Sequence, residues 1–402
     1  MPIKKRVLVI SNYPIKKPQH GGQKRVAAIV SEYKKVFSDV QFVAIFVREH
    51  YPAYDSTDIY LTGETLNKVI HDHLTSDVQL GWAIVNDPTV NRKVKQLLTS
   101  FKPDIIEIEQ VFPYIGLKQV LAELGMNPKI VHSSHNIETT MKEDIMKLGG
   151  ATPKAIADAV QTIDAAESHL AKHSSVVAAV SVEDGEYYLK HGAQSYVLAP
   201  NGIAESNATP KALQYWKQQY NQQGVRRTAG FIGSAHLPNM QGVKKMIGLR
   251  LGFLPADTRL VLGGGVGPHL KAHFSDDLLD VPFWRRVING GVLSEELLSG
   301  LIESLDVILL PIMDGGGSNL KTAEAILSGK KVVATTFAFR GYEQYLELPN
   351  IYIADTPAAF RKAIVAAMDA PALERTKAQN ALAKQVQWQY SLKKMVEAVT
   401  AL

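Results

Sequence analysis

Residues 307–329, VILLPIMDGGGSNLKTAEAILSG, contain the pattern on which the fold assignment depends. They open with a short, β-rich apolar run, Val307–Leu310. Three glycines then lead into a capping residue, Ser318 or Asn319, and into a helical segment that stops at Gly329. A strand, a glycine-rich turn and a helix in this order are the repeating unit of doubly wound α/β domains.

Short apolar runs alternate with helix-length segments through most of the chain. This alternation predicts an α/β fold whose parallel sheets are built from strand–helix–strand units. A polar stretch, 204–228, separates two series of runs, so we expect two domains, 1–205 and 206–371. Residues 372–402 contain only helical patterns and are predicted to pack on the existing domains without adding a strand. The predicted strands are Arg6–Ile10, Gln41–Val47, Asp104–Glu109, Lys129–His132, Val176–Val180, Tyr196–Leu198, Gly230–Ile232, Arg259–Leu262, Val307–Leu310, Lys331–Ala334 and Ile351–Ala354.

Composition places the chain among ordinary globular proteins. Its 402 residues are 46% apolar, which is enough to form large cores in two domains. The absence of cysteine excludes a disulfide framework and thiolate nucleophiles, and it suits a reducing compartment. The apolar run Val7–Ile10 is too short for a signal peptide, and no later run approaches the roughly 18 residues of a membrane span. We therefore predict a cytoplasmic protein.

The positive charge is concentrated at one end of the sequence. The net charge is +5, but residues 1–50 hold ten Lys and Arg against three acids, or +7, which leaves −2 elsewhere. A basic segment attracts anionic lipid, nucleic acid or phosphorylated substrates through its field. Peripheral contact with an anionic membrane, at its inner face, is one hypothesis for this segment, and a solvated helix face is the other. No nucleic-acid partner is predicted.

Two further turns contain glycines. Gly21 and Gly22 open the first amphipathic helix, where glycine permits close approach of a ligand and free amides favour an anion, although a plain helix start would look the same. Gly263–Gly267 superficially resembles a dinucleotide fingerprint, but it lacks the G-x-G-x-x-G register and Pro268 follows directly. We therefore predict no nicotinamide cofactor.

In the turn at 314–324, two charged side chains accompany the helix start. Lys321 and Glu324 are three residues apart and project from one helix face near the exposed amides. The amides and the ammonium are suited to a diphosphate, and the carboxylate is suited to ribose hydroxyls. A Lys–Glu pair on the surface is the alternative interpretation.

Taken in order, these motifs resemble the GT-B glycosyltransferases, specifically the large retaining group of family four that includes sucrose- and mannose-transferring enzymes. The resemblance extends over nearly the whole chain and depends on the correct order of several short strings. These strings are Gly21-Gly22, Lys102-Pro103-Asp104, Ser134-His135-Asn136-Ile137-Glu138, Val180-Ser181, Pro200-Asn201-Gly202, Phe231-Ile232-Gly233-Ser234 and Gly315 to Glu324.

The resemblance implies two Rossmann-like, doubly wound domains that face a cleft. The acceptor, a saccharide or a lipid-linked molecule, would bind mainly to 1–205, and the nucleotide-sugar donor to 206–371. The helices of 372–402 would pack back on the N-terminal domain. Since the nucleotide-diphosphate sugar is the substrate, no cofactor is predicted.

The resemblance also implies roles for individual residues. Glu324 would hold the ribose, Lys321 the diphosphate, and Gly22 would offer its amide to the donor phosphate. His135, which could otherwise be a structural residue after a buried strand, would lie near the transferred sugar. His135 and Lys321 are thus the predicted catalytic residues. The other residues implied in donor binding are Gly233, Ser234, Gly316, Gly317, Ser318, Asn319 and Leu320.

The sequence departs from the family pattern at three positions. Gly316 stands where many members have a Glu eight residues before the ribose-binding Glu, so the contact with sugar hydroxyls must come from another group. Ser234 and Asn239 stand where many members have an Arg and a Lys. Because these two charges are absent, Lys321, the helix amides and Arg340 are left to balance the diphosphate.

The predicted mechanism uses no metal. Metal-dependent transferases often carry an Asp-x-Asp motif, and this chain has none. We expect the helix start and Lys321 to stabilise the charge that develops on the departing nucleoside diphosphate. The resemblance implies retention of the anomeric configuration, with a donor phosphate oxygen taking the acceptor's proton. A nucleotide-sugar epimerase on the same scaffold and a non-catalytic nucleotide-sugar-binding subunit are the alternative functions.

Overall fold

The computed structural model describes residues 2–69, 73–273, 277–316 and 318–402. It consists of two compact units, Met1–Asn201 with Ser391–Leu402, and Gly202–Tyr390. The chain passes from one unit to the other at 201–202, whereas the sequence predicts the division after 205. The tail also differs from the prediction, because residues 372–390 belong to the second unit and only 391–402 to the first.

Burial of the tail's side chains explains this division. Ala383 and Val386 are buried in a hydrophobic core of the second unit. The last helix, Lys393–Thr400, buries Met395 and Val399 and contacts elements of the first unit. Residues 372–390 and 391–402 therefore pack on different units because their apolar side chains are buried in different cores.

The first unit is a parallel sheet of seven described strands in the order β3-β2-β1-β4-β5-β6-β7. Right-handed crossovers in this order place helices on both faces of the sheet. Its strands are β1 (Ile3–Ser11), β2 (Phe37–Val47), β3 (Ile59–Leu61), β4 (Ile105–Glu109), β5 (Lys129–Ser133), β6 (Val176–Ala179) and β7 (Val197–Leu198). Its helices are α1 (Gly21–Val36), α2 (Gly63–Val69), α3 (Ser76–Asn86), α4 (Pro88–Phe101), α5 (Tyr114–Glu123), α6 (Glu138–Leu148), α7 (Pro153–His173) and α8 (Val182–Lys190).

The second unit is a parallel sheet of six described strands in the order β10-β9-β8-β11-β12-β13. Its strands are β8 (Arg227–Ile232), β9 (Thr258–Gly263), β10 (Val287–Gly291), β11 (Val307–Leu310), β12 (Lys331–Ala334) and β13 (Ile351–Ile353). The helices that follow β7 are α9 (Pro210–Gln222), α10 (Leu237–Gly242), α11 (Val266–Ala272), α12 (Asp277–Trp284), α13 (Glu295–Ser304), α14 (Leu320–Ser328), α15 (Pro357–Asp369), α16 (Lys377–Lys384), α17 (Trp388–Ser391) and α18 (Lys393–Thr400).

The central strands are buried on both faces. Val7, Leu8 and Val9 in β1 have no exposed surface, as expected for a strand with helices above and below it. The eleven predicted strands all form, with ends that differ from the prediction by a few residues. The sequence missed β3, which has only three residues, and β10, whose VINGG sequence ends in two glycines that resemble a turn.

The basic residues of 1–50 do not form one surface. Lys4 lies at the start of β1 and Lys16 follows its other end, and a strand of nine residues is roughly 30 Å long. Arg25 is only 1% exposed. In the part of the chain that the structure describes, no helix combines the length and apolarity needed to cross a bilayer. Peripheral membrane contact stays a prediction.

Candidate active site

Each sheet contains one point at which its winding direction reverses. In the first sheet β1 and β4 are neighbours, and in the second sheet β8 and β11 are neighbours. The connections that follow two such strands run to opposite faces of the sheet, and the crevice between them is where open α/β sheets bind ligands. The turns after β1, β8 and β11 contain glycines that the sequence predicts to bind the donor.

After β11, the glycine loop leads into the start of α14. Asn319 is the N-cap in extended conformation, and its side chain makes no capping hydrogen bond. Ser318 is buried, Leu320 is half-buried and Gly316 is exposed, whereas Gly317 lies outside the described residues. Because the amides of a first helical turn have no intrahelical acceptors, this helix start is suited to an anion.

Asn239 of α10 holds Lys321 in place, and Ser234 in the turn after β8 holds Asn239. Nζ of Lys321 donates to Oδ1 of Asn239 at 3.0 Å. Nδ2 of Asn239 in turn lies 3.0 Å from the carbonyl oxygen and 3.2 Å from Oγ of Ser234, as donor to both. Nζ also lies 5.8 Å from the centre of the Phe231 ring. Burial lowers the pKa of Lys321, and the Glu324 carboxylate opposes that shift.

Ser234 and Asn239 are the positions where two charges of the family pattern are missing. The structure shows that these uncharged side chains form a hydrogen-bonded link to Lys321. The link places the ammonium beside the first turn of α14, where it adds to the positive end of the helix dipole. Where the resemblance leads us to expect two charged side chains, this chain thus has two uncharged ones that position the charge of Lys321.

The glycines after β9 support the turn after β8. The amide of Gly233 donates to the Gly263 carbonyl, and the amide of Val266 donates to the Gly233 carbonyl, both at 2.9 Å. Gly264 has a φ of +83°, and a Cβ there would lie 2.5 Å from the Gly233 carbonyl oxygen. The glycine run that is not a dinucleotide fingerprint therefore permits two turns to pack closely.

Arg340 holds the glycine loop after β11. Its Nη2 donates to the Gly315 carbonyl at 2.8 Å, and its guanidinium lies 4.6 Å from the centre of the Phe337 ring. Gly315 has a φ of +118°, a conformation that favours glycine. In this structure Arg340 orders the loop, and its contribution to a diphosphate site stays a prediction.

In the first unit, His135 lies between β5 and α6, and both of its ring nitrogens have protein partners. Nε2 is 2.6 Å from Oε2 of Glu109, and Nδ1 is 2.9 Å from Oη of Tyr13. His135 is 7% exposed, and Glu109 is fully buried. Burial lowers the pKa of His135, although the bond to Glu109 opposes this shift. A neutral ring that donates to the Glu109 carboxylate must accept from the Tyr13 hydroxyl.

Glu109 shares β4 with a second buried carboxyl. Glu107 and Glu109 are two residues apart, so their side chains project from the same face. Burial and the Glu109 charge raise the pKa of Glu107 well above its usual value, although the Tyr33 hydroxyl donates to it. For Glu109, burial is the largest influence and would raise the pKa, but the hydrogen bond and charge of His135, the hydrogen bond from Glu107 and the Arg25 charge together lower it. Burial and their mutual repulsion thus disfavour charge on both carboxyls at once, and the hydrogen bond from His135 favours the charge on Glu109.

The start of α1 lies beside the same cluster. His20 is the N-cap, and its Nδ1 accepts from the Gln23 amide at 3.4 Å. A Cβ on Gly22 would lie 2.3 Å from Oη of Tyr13. The structure thus brings Gly22 and His135, two predicted site residues distant in sequence, to one tyrosine hydroxyl.

Sequence reasoning missed Tyr13 and Glu109. Glu109 ends a predicted strand, and side chains at the carboxyl ends of strands lie near ligands in such folds, so its position was a usable signal. Tyr13 gave no comparable signal, because the loop that contains it is shaped by tertiary contacts. Gln23 holds that loop, since its Nε2 donates to the Pro14 carbonyl and its Oε1 accepts from the Gln19 amide.

Comparison with solved structures agrees with this architecture. The structure is similar to Anabaena HepE in complex with UDP, with a TM-score of 0.65, 15% identity, and coverage of 99% of this chain and 100% of that chain. It is similar to sucrose-phosphate synthase from Thermosynechococcus elongatus (TM-score 0.63, 14% identity, 99% and 95% coverage). It is also similar to the catalytic domain of starch synthase IV from Arabidopsis thaliana, bound to ADP and acarbose (TM-score 0.62, 15% identity, coverage of 99% of this chain and 99% of that chain).

The chain has the GT-B fold, and the prediction of two parallel-sheet α/β domains is confirmed. No family model matches the sequence, and no curated protein matches it. Membership of family four therefore stays a prediction.

Proposed function

We propose that this protein is a glycosyltransferase that transfers a hexosyl group from a nucleotide-diphosphate sugar to a saccharide or lipid-linked acceptor, with retention and without a metal. The observation that carries the proposal is the position of Lys321. Its ammonium is held by Asn239 beside a helix start whose N-cap side chain, that of Asn319, makes no capping hydrogen bond, at the point where the second sheet reverses its winding. A fixed positive group at such a place is suited to a diphosphate.

The main catalytic requirement is to stabilise the leaving group. Negative charge develops on the nucleoside diphosphate as the glycosidic bond breaks, and groups that are oriented before the reaction stabilise it without reorganisation cost. Lys321 and the amides of Ser318 to Leu320 would supply this stabilisation, and Glu324 would accept hydrogen bonds from the ribose. The acceptor hydroxyl would attack from the leaving-group face, and a donor phosphate oxygen would take its proton, as the family resemblance implies.

A thermal-shift screen of nucleotide diphosphates and their sugars tests the donor site. HepE was solved with UDP and with UDP-glucose, and starch synthase IV with ADP, so UDP and ADP compounds come first. A ligand that binds only the folded protein raises the melting temperature. We expect a rise with the correct nucleotide and its loss in Glu324→Ala, whereas Glu347→Ala, an exposed glutamate of the same unit, should respond like the wild type.

Product analysis then tests the reaction itself. With donor and an acceptor panel, we expect a glycoside of the donor's anomeric configuration by NMR, and the same rate within twofold after EDTA treatment. Epimerisation of the donor without acceptor would favour the epimerase. Donor binding without turnover on any acceptor would favour the non-catalytic subunit. A melting temperature unchanged by every nucleotide would contradict the proposal as a whole.

Asn239→Ala is expected to weaken binding of the nucleoside diphosphate about tenfold, since the loss of one hydrogen bond to a charged group costs about 1.5 kcal/mol. Asn239→Asp should weaken binding more, because its carboxylate would pair with Lys321 and repel the diphosphate. Isothermal titration with UDP and ADP measures both effects. Asn221→Ala, at an exposed position of α9, is the control. Wild-type affinity in Asn239→Asp would show that the link to Lys321 has no role in binding.

A further inference from the structure

The hydrogen bonds of the cluster formed by Tyr13, His135 and Glu109 limit what each side chain can offer to a ligand. His135 has two ring nitrogens, and both are bonded within the protein, to Glu109 at 2.6 Å and to Tyr13 at 2.9 Å. The ring therefore has no hydrogen-bonding atom left. Direct contact between His135 and a sugar hydroxyl through a ring nitrogen would require one of these two bonds to break.

The direction of each hydrogen bond follows from the Glu109 carboxylate. An ionised carboxylate only accepts, so Nε2 of His135 is its donor and Nδ1 is left as an acceptor. The Tyr13 hydroxyl must then give its single proton to Nδ1. Its oxygen keeps lone pairs that can accept from elsewhere, but it has no second proton to donate.

We infer that Tyr13 is the residue of this cluster that contacts the substrate, that its oxygen accepts a hydrogen bond from a sugar hydroxyl, and that His135 is a positioning residue that acts through it. A hydroxyl whose proton is already bonded to Nδ1 cannot donate to a phosphate oxygen. The group that it recognises is therefore a hydroxyl and not a phosphate. This inference rests on the proposed function, because the hydroxyl belongs to a transferred or an accepting sugar.

The surroundings of Tyr13 keep its hydroxyl in this position. The ring packs edge-on against His20, with centroids 4.9 Å apart. Gly22 leaves the space that Oη occupies, since a Cβ there would lie 2.3 Å from Oη and 2.8 Å from Cζ. With Tyr13 only 6% exposed, the ring has little freedom to move away from His135. The glycine at 22 thus has a role in placing Tyr13 in addition to any role at the start of α1.

Kinetics of Tyr13→Phe, with the donor identified by the screen, test the inference. We expect kcat/KM for the nucleotide sugar to fall about tenfold, the usual effect of one lost hydrogen bond, and the Kd of the free nucleoside diphosphate to change less than twofold. Tyr54→Phe removes a phenol hydroxyl from a half-buried tyrosine outside the cluster and should leave both values unchanged. If Tyr13→Phe keeps wild-type kcat/KM, or weakens the free diphosphate equally, the inference is wrong.

A double-mutant cycle separates the action of His135 through Tyr13 from a direct contact. Alone, His135→Asn should also lower kcat/KM about tenfold, but in the Tyr13→Phe background it should cost less than about twofold. Fully additive losses would overturn the inference. If His135→Asn does not fold, as judged by circular dichroism, Gly22→Ala takes its place, because its Cβ displaces the Tyr13 hydroxyl. The decrease in kcat/KM caused by Gly22→Ala must likewise be non-additive with the decrease caused by Tyr13→Phe.

Two activity assays identify the sugar that supplies the hydroxyl. If it belongs to the transferred sugar, Tyr13→Phe slows donor hydrolysis in the absence of acceptor. If it belongs to the acceptor, hydrolysis is unchanged and the acceptor KM rises. The absence of any turnover by the wild-type protein would count against the proposed function, whereas turnover that is insensitive to Tyr13→Phe would count against this inference alone.

Discussion

Lys321→Met is expected to lower kcat/KM for the nucleotide-sugar donor by about 1000-fold. Methionine keeps most of the aliphatic length of the side chain next to Phe231 but removes the ammonium that Asn239 orients. Loss of one preorganised group that stabilises developing charge typically costs about 3–4 kcal/mol in the transition state. Most of the loss should appear in kcat, because the charge on the leaving group is greatest when the bond is breaking.

Steady-state kinetics with the donor found by thermal shift measure this effect. The kcat/KM of Lys321→Arg should fall between those of the wild type and Lys321→Met. Arginine keeps the charge but cannot place a guanidinium where a single ammonium meets Asn239. Lys362→Met removes an exposed lysine of α15 in the same unit and controls for the change in net charge. A Lys321→Met enzyme with a wild-type kcat would place the leaving-group stabilisation elsewhere.

Trp216→Ala is expected to lower the free energy of unfolding of the second unit by about 3–5 kcal/mol, the range for removing a large buried aromatic side chain. The indole is 1% exposed, and its Nε1 donates to the Leu297 carbonyl at 2.8 Å. It lies where α9 packs against α13. The two helices approach closely because Gly300 has no side chain: a Cβ there would lie 2.7 Å from Cβ of Ala212. The cavity left by alanine cannot close without moving one of these helices.

Urea denaturation followed by far-ultraviolet circular dichroism measures this loss. Trp216→Phe keeps most of the buried area and loses the indole hydrogen bond, so we expect a smaller cost of about 1–2 kcal/mol. Tyr215→Ala is the matched control, because Tyr215 is the neighbour of Trp216 on α9, is 40% exposed, and its removal should cost clearly less. Equal destabilisation by Trp216→Ala and Tyr215→Ala would contradict this account of the core.

Strand prediction succeeded where local sequence and tertiary burial agree. Val307–Leu310 is an uninterrupted apolar run, and it forms β11 with the same bounds. Strand prediction failed at β10, because its two glycines resemble a turn in the sequence but are held in a strand by pairing with β9. The division of 372–402 between the units was also beyond reach, since apolar residues at helical spacing specify a buried face but not the core that covers it.

The candidate site shows the same contrast in its residues. The position of Lys321 in the first turn of a helix after a glycine loop follows from local sequence alone, because loop, cap and helix are all short-range features. That Asn239 would hold its ammonium did not follow, since the two residues are 82 positions apart. The sequence therefore suggested two missing charges, and the structure shows an uncharged link in their place.

By itself the sequence determined the alternation of strands and helices, and hence the parallel α/β class, because periodicity and glycine turns act over a few residues. It also identified the glycine loop of 314–324 and His135 as candidate site residues. Only the tertiary structure decided which residues meet at the carboxyl edges of the sheets. Tyr13, Glu109 and His135 come from three separate segments, and their contact arises because β1, β4 and β5 are neighbours in the sheet. Strand order is a long-range property that depends on how whole helices pack, so no local pattern of residues encodes it.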